Sequence, residues 1–476
     1  MILDTQQGLS TAVRAAARAA FGVELESVAF QYPPRVALGD LALTAPFDLA
    51  KTLRRKPREI AEALAQALAG APGVSRAEVA GGGYVNLFLE RAAFARRLHD
   101  GLATGRAAAP REGHVIVEHT SINPNKAAHI GHLRNACLGD TFVRLLRARG
   151  YDVGVQNYID DTGVQVADVV VGFQHIEKKT LAEVERIEGK FDYYCWDLYA
   201  RVGDFYAADK ERKKLQAAAL HAIEEGGNDT ARLAEHVAAR IVACHLATME
   251  RLGIRYDLLA HESDILRLHF WNRAFELLKE KGAIRKEAEG KNAGCWVLPM
   301  GEGDDAAAID EDKIIVRSNG TVTYTGKDIA YQLWKLGRLD RDFRYRLYRR
   351  DDDGHALWTT TSAEGGAGAP RFGHARAVYN VIDVGQSYPQ RVVKAGVAAL
   401  GHADGADGSH HLAYEKVVLS PATARALGYD VSEDETAVKV SGRKGLGVKA
   451  DDLVDALVAK AKAEVDARDP ERDAAG

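Results

Sequence analysis

Apolar residues recur at helical spacing near the start of the chain, at Leu9, Val13, Ala16, Ala17 and Ala20. They do so again over 58–69, at Ile60, Ala61, Leu64, Ala67 and Leu68. Each set lines one face of a 3.6-residue repeat and predicts an amphipathic helix. Between them Tyr32, Pro33, Pro34 and Gly39 punctuate a loop. After Gly81, Gly82 and Gly83, the alternation of Val85, Leu87 and Leu89 predicts a strand. Residues 1–110 are therefore expected to form a small α/β (α+β) domain, joined to the rest by an Ala- and Gly-rich stretch over 101–113.

The pattern then changes. Val115, Ile116 and Val117 within 114–118 form a short apolar run that predicts a buried strand. A loop with Asn123, Pro124 and Asn125 follows, then a long helical pattern to Arg149, stopped by Gly150. Val153, Val155 and Tyr158 predict a second strand. Strand, loop, helix and strand in that order open a parallel α/β sheet. Residues 168–253 read as a charged helical insertion, and 313–316, 322–324 and 378–381 as further strands. The run 342–350 alternates Phe343, Tyr345 and Leu347 with Arg344 and Arg346, which suits a half-buried edge strand better than an RNA platform. With three Asp, several Gly and Thr359 to Thr361, 351–373 reads as a loop or peripheral hairpin, and 451–469 as a last amphipathic helix.

Composition narrows the class. Of 476 residues, 46% are hydrophobic and 27% charged, the balance of a soluble globular protein with a large core. No apolar run reaches the roughly 18 residues of a membrane span, and no apolar stretch follows a basic start, so a cytoplasmic protein is expected. Cys137, Cys195, Cys244 and Cys295 stand far apart, with no pair at zinc-site spacing, and read as free thiols. The net charge of −4 does not advertise a nucleic-acid binder, which leaves local patches to decide.

Two segments carry chemistry. His129, Ile130, Gly131 and His132 fall between the first strand and its helix. A helix N-terminus offers unpaired N–H groups to phosphate, Gly131 permits close approach, and two imidazoles can donate to phosphoryl oxygens as charge grows there. The second segment, 438–447, mixes glycines with cations in a loop that could close over a triphosphate, with Lys444 as a point charge. It lacks the spacing of a Walker loop. Taken singly, each segment also fits an ordinary structural role, a pair of satisfied histidines or a solvated basic turn.

Together they resemble class I aminoacyl-tRNA synthetases. Glu118, Asn123, Lys126, His129, Gly131, His132 and Asn135 within 117–135 narrow the resemblance to arginyl-tRNA synthetase, as do Asn157, Tyr158, Asp160, Asp161 and Gln165 within 157–165 and Ser441 to Gly445. The resemblance implies a Rossmann-like parallel-sheet catalytic domain with a helical insertion over 111–450. It implies that arginine, ATP and tRNA(Arg) give arginyl-tRNA, AMP and pyrophosphate, with bound tRNA needed for arginine activation. ATP would come with Mg2+ as substrate, with no tightly bound cofactor and no protein metal site. By the same resemblance Glu118, Asn123, Tyr324, Asp328 and Gln386 bind arginine, with Asp328 on the guanidinium side. His129, Gly131, His132, Ser441 and Lys444 bind ATP, with Lys126 a helper at the phosphates. A guanidinium with five donors suits such carboxylates and amides.

Val440 stands where a methionine is common in the family, and Thr162 where many relatives carry Trp. Residues 451–476 read as the start of a helical stem, too few for the family's anticodon-binding domain. The N-terminal domain resembles the part that reaches the tRNA elbow, and Lys51, Arg54, Arg55, Lys56 and Arg58 could meet phosphates there. A monomer without membrane contact is expected. Two rival readings are a nucleotidylyltransferase of the same superfamily that needs no tRNA, and a non-catalytic RNA- or protein-binding paralogue.

Overall fold

The computed structural model describes residues 2–103, 109–300, 312–320, 322–401, 403–426, 431–432, 438–439 and 447–468. The two N-terminal apolar repeats form helices that pack on a small antiparallel sheet. In chain order this part comprises α1 (Ile2–Phe21), β1 (Phe30–Gln31), β2 (Leu41–Leu43), α2 (Ala45–Leu53), α3 (Pro57–Leu68), β3 (Val74–Ala80), β4 (Tyr84–Leu89) and α4 (Arg91–Ala103). The strand order is β1-β2-β4-β3. Leu9 and Val13 of α1 and Ile60 and Leu64 of α3 bury against Leu41, Leu43, Val85 and Leu87. The chain divides into two compact units, Met1–Ala107 and Ala108–Gly476.

The second unit begins with β5 (His114–Glu118), α5 (Ile130–Ala148) and β6 (Asp152–Ile159). A helical insertion follows: α6 (Val164–Val171), α7 (Leu181–Glu185), α8 (Phe191–Ala208), α9 (Lys213–Glu225) and α10 (Asp229–Glu250). Then come β7 (Leu258–His261), α11 (Glu262–Arg267), α12 (Phe270–Glu280), β8 (Arg285–Lys286), β9 (Trp296–Leu298), β10 (Lys313–Val316), α13 (Tyr324–Lys335), β11 (Arg344–Arg350) and β12 (Ala356–Thr361). The unit closes with β13 (Ala377–Asp383), α14 (Ser387–Ala399), α15 (Ala403–Asp407), β14 (Ser409–Tyr414), β15 (Val418–Leu419), α16 (Pro421–Ala426), β16 (Val438–Lys439) and α17 (Ala450–Arg468).

Seven strands form one sheet in the order β11-β12-β7-β6-β5-β13-β14. All neighbours pair in parallel except β11 with β12. This is a Rossmann-like sheet carrying a helical insertion. Ile116 joins the core under α12, α13 and α14, while Val117 joins the core under α5 and α10. Burial on both faces is why β5 reads as a continuous apolar run. The chain leaves β5 for β6 on one side, and β13 pairs on the other, so the strand order reverses at β5. A crevice opens beyond the carboxyl ends of strands at such a point.

Two segments differ from the sequence reading. Residues 322–324 are not a strand: Val322 makes only an isolated bridge to Val316, and α13 starts at Tyr324. Thr323 takes an extended backbone before the helix, and its hydroxyl donates to the carbonyls of Ile314 and Ile315. The polar stretch 351–373 contains β12, an interior strand with Leu357, Trp358, Thr359 and Thr360 buried. Its polarity is internal: Thr360 Oγ1 donates to Asp264 at 2.7 Å and accepts from His261 N at 3.0 Å. Edge strand β11 buries Tyr345 but exposes Leu347, and its register shifts between Leu347 and Arg349.

Helix α5 approaches the end of β5 closely at Gly139. A Cβ there would come within 2.7 Å of His119 Cδ2, and closer still to Cβ and Cγ. The ring cannot give way: it is fully buried and bonded to Thr120 Oγ1, which is bonded to the Tyr256 hydroxyl. Alanine gains about 1 kcal/mol in helix propensity over glycine, but overpacking costs about 1–3 kcal/mol. Gly139→Ala is expected to destabilise the protein by about 1–2 kcal/mol, read as a lower urea midpoint. An unchanged or higher midpoint would show that α5 has room to shift.

Candidate active site

The loop leaving β5 is strained. Thr120 and Ser121 hold positive φ values of 74° and 42°, a conformation that costs side-chain-bearing residues of the order of 1 kcal/mol or more. Two asparagines hold it: Thr120 N donates to Asn135 Oδ1 at 2.6 Å, and Ser121 N donates to Asn157 Oδ1 at 2.9 Å. Asn135 also donates to the Val381 carbonyl at 2.7 Å and to the Tyr414 hydroxyl at 3.1 Å. The loop is thus tied to α5, β6, β13 and β14.

Two cavities adjoin at this loop. One, of about 390 Å³, is lined by Glu118, Asn123, His132, Asp160, Asp328 and Gln386, among others. The second, of about 280 Å³, is lined by Asn123, Lys126, His129, His132, Gln165 and Tyr199 with neighbours. They share Ser121, Asn123 and His132.

The histidine turn is built by its own backbone. His129 caps α5, its Nδ1 accepting from Gly131 N at 3.1 Å, and His132 Nδ1 accepts from His129 N at 3.2 Å. The rings stack with centroids 3.6 Å apart. A Cβ on Gly131 would sit 3.0 Å from His129 Cε1, so the glycine lets that ring fold back over the turn. Burial, then the Lys126 ammonium, push His129 down to about 4. Burial and the adjacent His129 hold His132 well below the ordinary imidazole range. Both rings are therefore neutral near pH 7. An Nδ1 that accepts leaves the proton on Nε2, so each ring offers one N–H donor. Lys126 is buried, with its ammonium 5.0 Å from the Tyr199 ring centroid.

The larger cavity is acidic. Asp328, one turn into α13, makes no hydrogen bond among the described residues. Burial raises its carboxyl to about 7, with Glu262 and Glu118 adding to the rise and Lys335 and Lys327 opposing it. Glu118 Oε2 lies 3.0 Å from the buried Lys335 ammonium, which also donates to Asn380 Oδ1 at 3.0 Å. Glu262 accepts from Thr162 Oγ1 at 2.5 Å and pairs with Lys327 at 3.2 Å. Asp160 is pushed well above the carboxylate range by burial and by Glu262.

Of the residues singled out in the sequence, Glu118, Asp328 and Gln386 line one cavity, Lys126 and His129 the other, and Asn123 and His132 both. Tyr324 opens α13, with its side chain outside the described residues, where Ser441 and Lys444 also lie. Lys51, Arg54, Arg55, Lys56 and Arg58 cluster around the turn between α2 and α3 in the first unit. Arg55 and Arg58 are partly offset by Glu59 at 3.6 Å and Glu62 at 3.5 Å. Sequence reasoning missed Glu262, Lys335 and the raised carboxyl of Asp328. Lys335 lies seven residues after Asp328, on the same face of one helix, which was a usable signal. Glu262 comes from a separate strand-to-helix junction and had none.

The chain matches two family models, one described as arginyl tRNA synthetase N terminal domain over residues 7–89, and one as tRNA synthetases class I (R), catalytic domain, over 97–355. It is 35% identical over 460 residues to an arginine–tRNA ligase of Thermococcus sibiricus, covering 93% of this chain and 68% of that relative. It is 36% identical over 458 residues to one of Deinococcus radiodurans, covering 95% and 68%. Among solved structures it is similar to Thermus thermophilus arginyl-tRNA synthetase, with a TM-score of 0.74 and 34% identity, covering 98% of this chain and 72% of that one.

Proposed function

This chain belongs to the arginyl-tRNA synthetases, class I ligases that join arginine to tRNA with ATP, and on that premise we propose how its residues share the work. The observation that carries the proposal is a recessed Asp328, without a hydrogen bond among the described residues, in a cavity that adjoins a stacked, neutral histidine pair.

Asp328 meets the guanidinium, with Glu262 beside it. Glu118, already half-compensated by Lys335, takes the α-ammonium side, with Asn123 and Gln386 as neutral acceptors and Tyr324 as a further arginine contact. A neutral isostere would leave Asp328 unpaired, a source of discrimination. His129 and His132 donate from Nε2 to the triphosphate, Gly131 keeps the turn close to it, and Lys126 adds charge. Ser441 and Lys444 contribute to the same ATP. The arginine carboxylate attacks the α-phosphorus in line, pyrophosphate leaves, and the terminal ribose of tRNA(Arg) then displaces AMP. Positioning and charge stabilisation supply the rate, with little proton chemistry in the first step.

Magnesium arrives on the ATP as part of that substrate. Residues 1–110 form the additional domain, with Lys51, Arg54, Arg55, Lys56 and Arg58 against tRNA phosphates, and 111–450 form the catalytic domain. The enzyme works as a cytoplasmic monomer. No described helix is long and apolar enough to cross a membrane.

The test is ATP–pyrophosphate exchange by the purified chain. Exchange that requires both arginine and tRNA(Arg) is expected. Exchange indifferent to arginine would favour a nucleotidylyltransferase on another small molecule.

A further inference from the structure

The segment leading into α17 lies along the histidine turn. Ile130 N donates to the Val448 carbonyl at 3.0 Å, and Ala450 N donates to the Ala128 carbonyl at 2.8 Å. Lys449 and His129 thus face each other across an isolated antiparallel bridge. Residues opposed in an antiparallel pair send their side chains to the same side. The Lys449 side chain therefore leaves the bridge on the side of the His129 ring.

Its ammonium lies 4.3 Å from the Tyr193 ring centroid and 5.7 Å from that of Trp196. Lys126 holds its own ammonium 5.7 Å from the same indole. Two cations converge on one tryptophan of α8, and one of them, Lys126, lines the cavity that carries the histidines. The Lys449 ammonium makes no ion pair or hydrogen bond among the described residues. Like charges gathered on one aromatic surface repel each other. A multiply charged anion relieves that repulsion.

The strap that bears Lys449 does not depend on it. Asp451, at the start of α17, pairs with Lys190 at 2.5 Å and Arg251 at 2.6 Å, and accepts from Thr248 Oγ1 at 2.8 Å. Tyr193 donates to Asp452 at 2.6 Å. These contacts hold the backbone in place and leave the lysine head available.

We infer that Lys449 is a second phosphate-binding cation beside Lys126, meeting the β- and γ-phosphates of ATP and hence the departing pyrophosphate. The inference rests on the ATP reading of the histidine cavity. Charge grows on the leaving oxygen as the bond to the α-phosphorus breaks, and an ammonium placed there stabilises that charge. AMP lacks the phosphates concerned and should not sense Lys449.

Equilibrium binding of MgATP, inorganic pyrophosphate and AMP to the full chain tests this, using K449M, K449R and H132Q. K449M should weaken MgATP and pyrophosphate about five- to twentyfold, the loss of one charge-assisted contact. AMP should change less than about twofold, and K449R should retain most of the affinity. H132Q tests the underlying reading and should also weaken MgATP. If H132Q weakens MgATP while K449M leaves MgATP and pyrophosphate unchanged, Lys449 is not a phosphate ligand and the inference falls alone. If K449M weakens AMP as much as MgATP, Lys449 is a tether and the inference again falls. If neither variant alters MgATP binding, or the wild-type chain binds none, the ATP reading fails and takes the inference with it.

Discussion

Asp328→Asn should lower arginine-dependent exchange by about a hundredfold to a thousandfold, the loss expected when one charge of a buried ion pair is removed, while making the free protein more stable. Both effects follow from one feature. Burial and Glu262 raise the Asp328 carboxyl to about 7. A guanidinium reverses that balance by supplying the missing charge, so arginine binding should release a proton below about pH 7. Arginine affinity measured by calorimetry should therefore rise from pH 6 to pH 8 in the wild type. In the asparagine variant it should stay low and flat. Equal wild-type affinity at both values would remove Asp328 from the guanidinium site.

The stability effect has the opposite pH sense. A carboxyl whose folded value lies above its unfolded value binds its proton more tightly in the folded state. That contribution is fully present below about pH 4 and is lost as pH rises through about 7. Each tenfold gain in proton affinity is worth roughly 1.4 kcal/mol, so the cost of ionising the carboxyl at pH 8 is on the order of 4 kcal/mol. Asparagine carries no such cost. The urea midpoint of Asp328→Asn should therefore exceed that of the wild type at pH 8, with the gap closing towards pH 5. A site that trades stability for substrate charge is expected where binding, not folding, sets the residue.

The same contrast separates what the sequence disclosed from what it hid. β5 and α5 were legible because an apolar run and a helical repeat flank a glycine-bearing histidine turn, so propensity, periodicity and chemistry agree there. The order of the sheet was not legible beyond β5, α5 and β6. β12 was hidden because its interior threonines find partners in Asp264 and the His261 backbone, so burial left no apolar signal. Asp328 and His132 could be named from motifs, but not their protonation. For His132 that depends on burial and the adjacent His129; for Asp328 it depends on burial and on Glu262, which arrives from 66 residues away in the chain (328 − 262). The pairing of Glu118 with Lys335 spans 217 residues and is set by how α13 packs on β5 and β13.

That pair carries the largest stability effect expected from a single substitution here. Lys335 is 2% exposed, and its ammonium is shared between Glu118 and Asn380 at 3.0 Å each. Lys335→Met conserves length and apolar stem but strands the Glu118 carboxylate in the interior without a cation. Breaking one side of a buried pair costs about 3–5 kcal/mol. Glu118→Gln alone strands the ammonium instead and should cost a similar amount. The double variant Glu118→Gln with Lys335→Met removes both charges together, so most of the loss should be recovered. Urea denaturation of the four proteins closes the cycle. A strongly non-additive result is expected, with the double variant more stable than either single one. Its exchange activity should stay low nonetheless, because a glutamine cannot supply the charge proposed for the α-ammonium. If the two substitutions simply add, Lys335 and Glu118 do not act as a pair. If stability returns together with full activity, the carboxylate of Glu118 serves the fold and not the substrate.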